Sequence, residues 1–153
     1  MSAVLKEGIE FRPLKLDELQ AVSEIERDVY AFPWSYGNFR DSMQAGYSCW
    51  GCFDAGRLLA YAIVMIAAGE AHLLNITVAK GWQRHGIGTQ LLGFVTNLAR
   101  ERGCDSLYLE VRPSNVGARA LYSRDGFKQL GLRRDYYPAV GGREDALVLL
   151  KRL

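Results

Sequence analysis

Histidine and cysteine are scarce in this chain, with two of the former and three of the latter among 153 residues. Three cysteines, Cys49, Cys52 and Cys104, cannot all pair with one another, which suits a reducing compartment rather than a disulfide framework. Cys49-Trp50-Gly51-Cys52 has the spacing of a redox motif, but it reads as strand, where residues three apart face opposite sides. A redox cysteine needs a helix N-terminus to lower its pKa, so two core cysteines are the expectation. A zinc site would need two further ligands, and the only histidines are His72 and His85, so no metal is expected. Long apolar runs are absent too. The best, residues 58–68, is too short to span a bilayer, and residues 1–12 carry scattered charges in place of a signal-peptide core. A cytoplasmic protein away from membranes is the expectation. A net charge of +2, with no run of Lys or Arg, gives no basis for direct nucleic-acid binding.

The composition is that of a soluble globular protein, 49% hydrophobic and 24% charged. The length fits one domain over residues 1–153, with residues 1–9 as a short N-terminal extension. The organising stretch is Gln83-Arg84-His85-Gly86-Ile87-Gly88. An apolar, partly β-branched segment, residues 73–78, precedes it; Ile87, Leu91, Phe94, Val95 and Leu98 follow at helical spacing. Strand, glycine loop and helix together make an anion site. The glycines let the backbone turn sharply, and the unpaired amides of the first helical turn point at the ligand. No Gly-Lys-Ser/Thr follows Gly88, which excludes a nucleotide P-loop. Leu91 stands where a dinucleotide fingerprint needs its third glycine. By itself the loop also fits a glycine turn ahead of a core-packing helix.

The rest of the chain reads in order as a mixed sheet with helices. Residues 10–14 form a strand stopped by Pro13, and Asp17 caps a helix carrying Leu19, Val22, Ile25, Glu26 and Val29. An aromatic break, Ala31-Phe32-Pro33-Trp34-Ser35, leads to a short helix over 35–43. Residues 48–54 and 57–66 make a hairpin across Asp54-Ala55-Gly56. After the glycine loop, its helix ends at Gly103. Residues 106–112 alternate, with Leu107, Leu109 and Val111 on one face and Tyr108, Glu110 and Arg112 on the other. Pro113-Ser114-Asn115 opens a helix to about Arg124, and strands over 127–133 and 145–150 close the chain around an excursion rich in Tyr, Pro and Gly. The order β-α-α-β-β-β-α-β-α-β-β predicts an α/β fold (α+β in some schemes): one mixed, mostly antiparallel sheet flanked by helices.

Glu110, Asn115 and Tyr122 are the informative polar set. Asn115 and Tyr122 lie about two helical turns apart and share a helix face. A carboxylate and a phenol at the mouth of a cleft can take a proton from an ammonium and give one to a leaving thiolate. Each residue has a plainer reading as well: Tyr122 as a packed aromatic, Glu110 as a solvated strand residue, Asn115 as a helix cap. His85 points to solvent, and Arg84 meets either a phosphate or solvent.

The Gln83-to-Gly88 loop, Leu109-Glu110-Val111-Arg112 and Asn115-x-x-Ala118-x-x-Leu121-Tyr122-x-x-x-Gly126-Phe127 together resemble the GNAT acyltransferase superfamily. Phe32-Pro33-Trp34-Ser35, Asn75-Ile76, Arg134-Asp135-Tyr136-Tyr137-Pro138 and Gly142-Arg143-Glu144-Asp145-Ala146 are similar to its RimI branch, so the likeness runs from Phe11 onward. That branch acetylates the N-terminal alanine of the eighteenth small-subunit ribosomal protein. The resemblance implies acetyl-coenzyme A as cosubstrate, direct transfer without an acyl-enzyme, Glu110 as general base and Tyr122 as general acid. It implies cofactor contacts from Ile76, Thr77, Val78, Arg84, His85, Gly86, Ile87, Gly88, Thr89 and Asn115. Trp34, Tyr137 and Glu144 fall in segments that shape a peptide cleft, with Glu144 and Asp145 placed to attract a basic N-terminus. The partner is then a protein N-terminus, and the enzyme a monomer. The competing readings are acetylation of a small amine or lysine side chain, and a non-catalytic acyl-coenzyme A sensor.

Overall fold

The computed structural model describes residues 8–153; residues 1–7, most of the expected N-terminal extension, lie outside the described residues. Ile9 already belongs to the first strand. Seven strands form one sheet: β1 (Ile9–Pro13), β2 (Ser48–Asp54), β3 (Arg57–Ala67), β4 (Glu70–Val78), β5 (Ser106–Val111), β6 (Lys128–Ala139) and β7 (Gly142–Arg152). Their spatial order is β1-β2-β3-β4-β5-β7-β6. Among the described residues only β4 and β5 pair in parallel. The helices are α1 (Leu19–Val29), α2 (Tyr36–Gln44), α3 (Ile87–Glu101) and α4 (Val116–Arg124), in the chain order read from the sequence.

The sheet separates two cores. On one face, Leu19 and Val22 of α1 and Phe39 of α2 pack with Cys49, Tyr61 and Ile63. On the other, Leu91, Leu92 and Val95 of α3 and Tyr122 of α4 pack with Cys52, Ala62, Leu73, Leu107 and Leu109. The alternation of β5 is therefore decided by helix packing, leaving Tyr108 and Glu110 on the face opposite α3. Cys49 and Cys52 fall in different cores, and burial raises both thiols to about 11. Among the described residues no group of three or more His, Cys, Asp or Glu stands close enough to hold a metal ion, and no helix is long and apolar enough to cross a membrane.

Two strand irregularities shape the site. In the β3–β4 ladder Ile63 pairs with Asn75 and Val64 with Leu73, so Leu74 is an extra, bulged residue. The parallel β4–β5 ladder stops at Leu73 opposite Leu109, although β4 runs on to Val78 and β5 to Val111. Beyond that point the two strands part, and the β5-facing edge of β4 is left without a strand partner.

Two local expectations are corrected. Asp17 does not cap α1; it lies within a single 3-10 turn, Leu16–Glu18, where Glu18 accepts from the Lys15 N–H at 2.8 Å. The Glu18 carboxylate also receives Arg12, at 2.7 Å, which ties the turn to β1. The Tyr-, Pro- and Gly-rich excursion is no loop either: β6 and β7 continue through it as a hairpin. A bulge at residues 134–136 absorbs the irregular sequence, with Asp135 at φ +51°. Asp145 accepts from the Asp135 N–H at 2.8 Å, and Arg143 donates to the Asp135 and Tyr136 carbonyls at 2.8 and 2.9 Å. Pro138 is tolerated because β6 is an edge strand.

Candidate active site

Where β4 leaves β5 the molecule opens a cleft of about 940 Å³, lined by the C-terminal half of β4, the glycine loop, the start of α4, the end of α1 and the β6–β7 turn. Within the loop, Arg84 (φ +64°) and Gly86 (φ +81°) are both left-handed. That pair of turns is how the chain reaches the N-terminus of α3 directly from β4. The Gln83 side chain donates to the Val78 carbonyl at 3.0 Å and fastens the loop to the strand end. The amides of Ile87, Gly88 and Thr89 form the first turn of α3, which has no intrahelical partner for them. Lys80, Arg84, Arg112 and Arg124 line the same cleft against one acid, Glu144. A helix N-terminus, left-handed turns and a cationic wall make a site for phosphate groups.

The predicted contacts divide cleanly. Ile76, Thr77, Val78, Arg84, Gly86, Gly88, Thr89, Asn115 and Glu144 line the cleft. Ile87 does not: its side chain is 4% exposed and packs under α3, so only its backbone faces the loop. His85 turns aside, Nδ1 lying 2.8 Å from the Gln83 carbonyl and the ring beside Trp82. Asn115 is a cap indeed, accepting from the Ala118 N–H at 3.3 Å, and it lines the cleft as well. Gly117 also lines it, and a Cβ built there meets nothing within 4 Å on the cleft side.

Trp34 lies outside the cleft, packed on Phe39 in the α1–α2 core with ring centroids 5.1 Å apart. Glu144 is not a free charge. It accepts from the Ser114 N–H at 2.8 Å, the Ser114 hydroxyl at 2.9 Å and Arg112 at 3.3 Å. These bonds hold its carboxyl below the usual range and bind β7 to the loop before α4. Asp145 is engaged within the bulge, so neither acid is open to attract a basic peptide. The Arg112 guanidinium lies over the Tyr137 ring at 4.4 Å and the Phe32 ring at 5.5 Å, joining the α1–α2 segment to β6 across the cleft mouth.

The Glu110 side chain is buried rather than solvated, 8% exposed. His72 Nε2 lies 2.7 Å from its Oε1, and Arg133 Nε is 3.7 Å from its Oε2. The His72 bond holds the carboxyl below the ordinary range against the opposing effect of burial. Tyr122 belongs to the α3–α4 core, and burial, with the nearby phenols of Tyr30 and Tyr137, pushes its hydroxyl well above the usual value. Tyr137 is raised by burial and then by the charge of Glu110. Carboxylate and phenol come from opposite faces of the sheet: Glu110 follows the last β4–β5 pair, and Tyr122 sits on α4, whose Ala118 and Leu121 line the cleft while Glu110, Tyr122 and Tyr137 themselves do not.

Sequence reasoning missed a second polar network. Glu26, 2% exposed, accepts from the Tyr61 hydroxyl at 2.6 Å, Asn75 Nδ2 at 3.1 Å and the Trp34 N–H at 3.0 Å. Thr77 donates to Asn75 Oδ1 at 2.7 Å, and the Tyr30 hydroxyl lies 2.8 Å from Thr77 Oγ1. The chain of bonds joins α1 to the cleft-lining edge of β4. Its signal in the sequence was a carboxylate on the apolar stripe of α1.

A split parallel pair with a glycine loop opening the next helix is the architecture of an acyltransferase of the GNAT type. The sequence model of the acetyltransferase (GNAT) family matches residues 19–127, and the chain belongs to that family. It is 39% identical over 136 residues to the ribosomal protein bS18-alanine N-acetyltransferase of Escherichia coli strain K12, covering 89% of this chain and 92% of that one. The enzyme of the same name from Haemophilus influenzae is 35% identical over 133 residues, covering 86% and 90%. The crystal structure of the ribosomal-protein-S18-alanine N-acetyltransferase from Escherichia coli superposes with a TM-score of 0.88 at 37% identity, covering 94% and 93% of the two chains.

Proposed function

We propose that this chain transfers the acetyl group of acetyl-coenzyme A to the N-terminal α-amine of a protein, with the N-terminal alanine of ribosomal protein bS18 as its substrate. The observation that carries the reading is the parting of β4 from β5 beside an anion loop, with Glu110 one residue past the last β4–β5 pair and Tyr122 on α4, whose Ala118 and Leu121 line the cleft. The relatives at 39% and 35% identity bear that activity in their names. The cleft suits coenzyme A: cations and helix amides for its phosphates, an unpaired β4 edge for the amides of its pantetheine arm, and open space over Gly117. Those amides of the Ile76–Val78 segment that point away from β3 can also polarise a thioester carbonyl placed against them.

Glu110 takes a proton from the incoming ammonium, directly or through one water, and the freed amine attacks the carbonyl carbon. The C–S bond then breaks, and Tyr122 protonates the departing thiolate. Both groups hold the needed form at neutral pH: the Glu110 carboxyl is lowered and ionised, the Tyr122 phenol raised and protonated. No acyl-enzyme is involved, since the three cysteines are buried away from the cleft. Phe32, Tyr136 and Tyr137 wall the path of an extended peptide. A ribosomal substrate fits a cytoplasmic enzyme, and all the residues lining the cleft come from one chain. Tyr122→Phe tests the mechanism: kcat falls by roughly 10²-fold or more with the KM for acetyl-coenzyme A unchanged. Wild-type kcat in that variant would remove Tyr122 from the chemistry.

A further inference from the structure

His72 and Glu110 lie on the parallel pair of strands, β4 and β5. His72 stands opposite Tyr108, one position before the ladder ends, and Glu110 follows two residues later on β5. Strand alternation turns His72, Tyr108 and Glu110 to one face, while Ala71, Leu73, Leu107 and Leu109 enter the core on the other. The His72 ring stacks on Tyr108, centroids 4.4 Å apart and planes 23° from parallel, which fixes its plane. Its Nε2 is 2.7 Å from Glu110 Oε1, the two side chains being 14% and 8% exposed. An ionised carboxylate only accepts, so Nε2 carries the proton in this bond. Oε1 is thereby occupied. Oε2 is buried and has no hydrogen-bond partner, with Arg133 Nε 3.7 Å away, beyond hydrogen-bonding range. A buried carboxylate oxygen without a partner is costly, and this one lies on β5 one residue past the last β4–β5 pair, where the sheet splits.

We propose that His72 is a positioning residue for acetyl transfer: by donating Nε2–H to Oε1 it orients Glu110 so that Oε2 alone receives the proton of the incoming amine. The assignment rests on Glu110 being the general base. The ammonium N–H bond breaks, its electron pair stays on nitrogen for attack, and the proton goes to Oε2. His72 keeps its own proton throughout, acting as a fixed donor. A neutral amide donor can then replace it, which separates orientation from a structural role.

The test is steady-state kinetics of the full chain with acetyl-coenzyme A and an Ala-Arg-starting peptide, for His72→Ala, His72→Gln and Glu110→Gln, with thermal unfolding of each. His72→Ala should lower kcat by roughly tenfold or more with the KM for acetyl-coenzyme A unchanged, and His72→Gln, whose amide N–H reaches Oε1, should recover to within about threefold of wild type. A kcat for His72→Ala within about twofold of wild type, or a Gln variant as slow as Ala, overturns the proposal. Should His72→Ala fail to unfold cooperatively, His72→Asn, whose amide stops short of Oε1, takes its place under the same two thresholds. Glu110→Gln separates the two levels. If it is slow while His72→Ala is not, only the His72 assignment fails; if it turns over like wild type, the base assignment beneath it fails.

Discussion

In the proposed reaction single residues carry the proton chemistry, and their environments set which form each holds. Burial and neighbouring phenols raise Tyr122 and Tyr137, and burial raises Tyr30 to about 12, so these phenols stay protonated to higher pH than free tyrosine. The His72 bond lowers Glu110, so it stays ionised to lower pH than free glutamate. Neither catalytic group then titrates between about pH 5 and 10, and the substrate α-amine, with a pKa near 8, governs the profile. The kcat/KM should rise through about pH 8 and hold level to about pH 10; a descending limb below pH 9 would contradict the Tyr122 assignment. Glu26 makes a second prediction. Glu26→Ala leaves the Tyr61 hydroxyl, Asn75 and the Trp34 amide without their acceptor, so unfolding stability should drop by about 3 kcal/mol, or roughly 10 °C in Tm. An unchanged Tm would show that water replaces the carboxylate. Glu110 and Tyr122 were singled out by their motifs, whereas His72 was not. Its link to Glu110 exists only through the β4–β5 register, which no local pattern encodes.

At the scale of elements, the glycine loop shows how much a short motif can specify. Gln83 fastens the strand end, Arg84 and Gly86 turn left-handed, and α3 starts at Ile87. Gly86→Ala places a Cβ at φ +81°, strained by about 1 kcal/mol, and tilts the first amides of α3. The KM for acetyl-coenzyme A should rise several-fold, with kcat changed less; calorimetric affinity for coenzyme A equal to wild type would contradict the loop's role as the phosphate site. Helix and hairpin positions were readable because period and turn residues are local signals. The β6–β7 hairpin was read too short because a bulge at Arg134-Asp135-Tyr136, with Pro138 just beyond it, breaks strand alternation. Asp145 and Arg143 hold it together from the partner strand. Bonds from Ser114 and Arg112 remove Glu144 as a free charge and the bond from the Asp135 N–H removes Asp145, and the packing of α1 on α2 places Trp34 in a core its aromatic motif alone did not reveal.

For the whole molecule, the sheet's one parallel junction is the decisive feature. It joins an antiparallel β1–β4 half to an antiparallel β5–β7 half, and because the junction closes over only the first part of β4, the rest becomes a cleft. Element order predicted a mixed sheet, but where two strands separate depends on the Leu74 bulge and on packing from both faces, which are not visible in composition or spacing. The direct test is thiol release from acetyl-coenzyme A with three peptides: an Ala-Arg-starting hexapeptide, the same peptide blocked at its α-amine, and a blocked peptide carrying lysine. Turnover with the free α-amine alone is the predicted result. Turnover on the blocked lysine peptide would make this a side-chain acetyltransferase, and three inert peptides with coenzyme A still protecting the fold from heat would contradict peptide acetylation altogether.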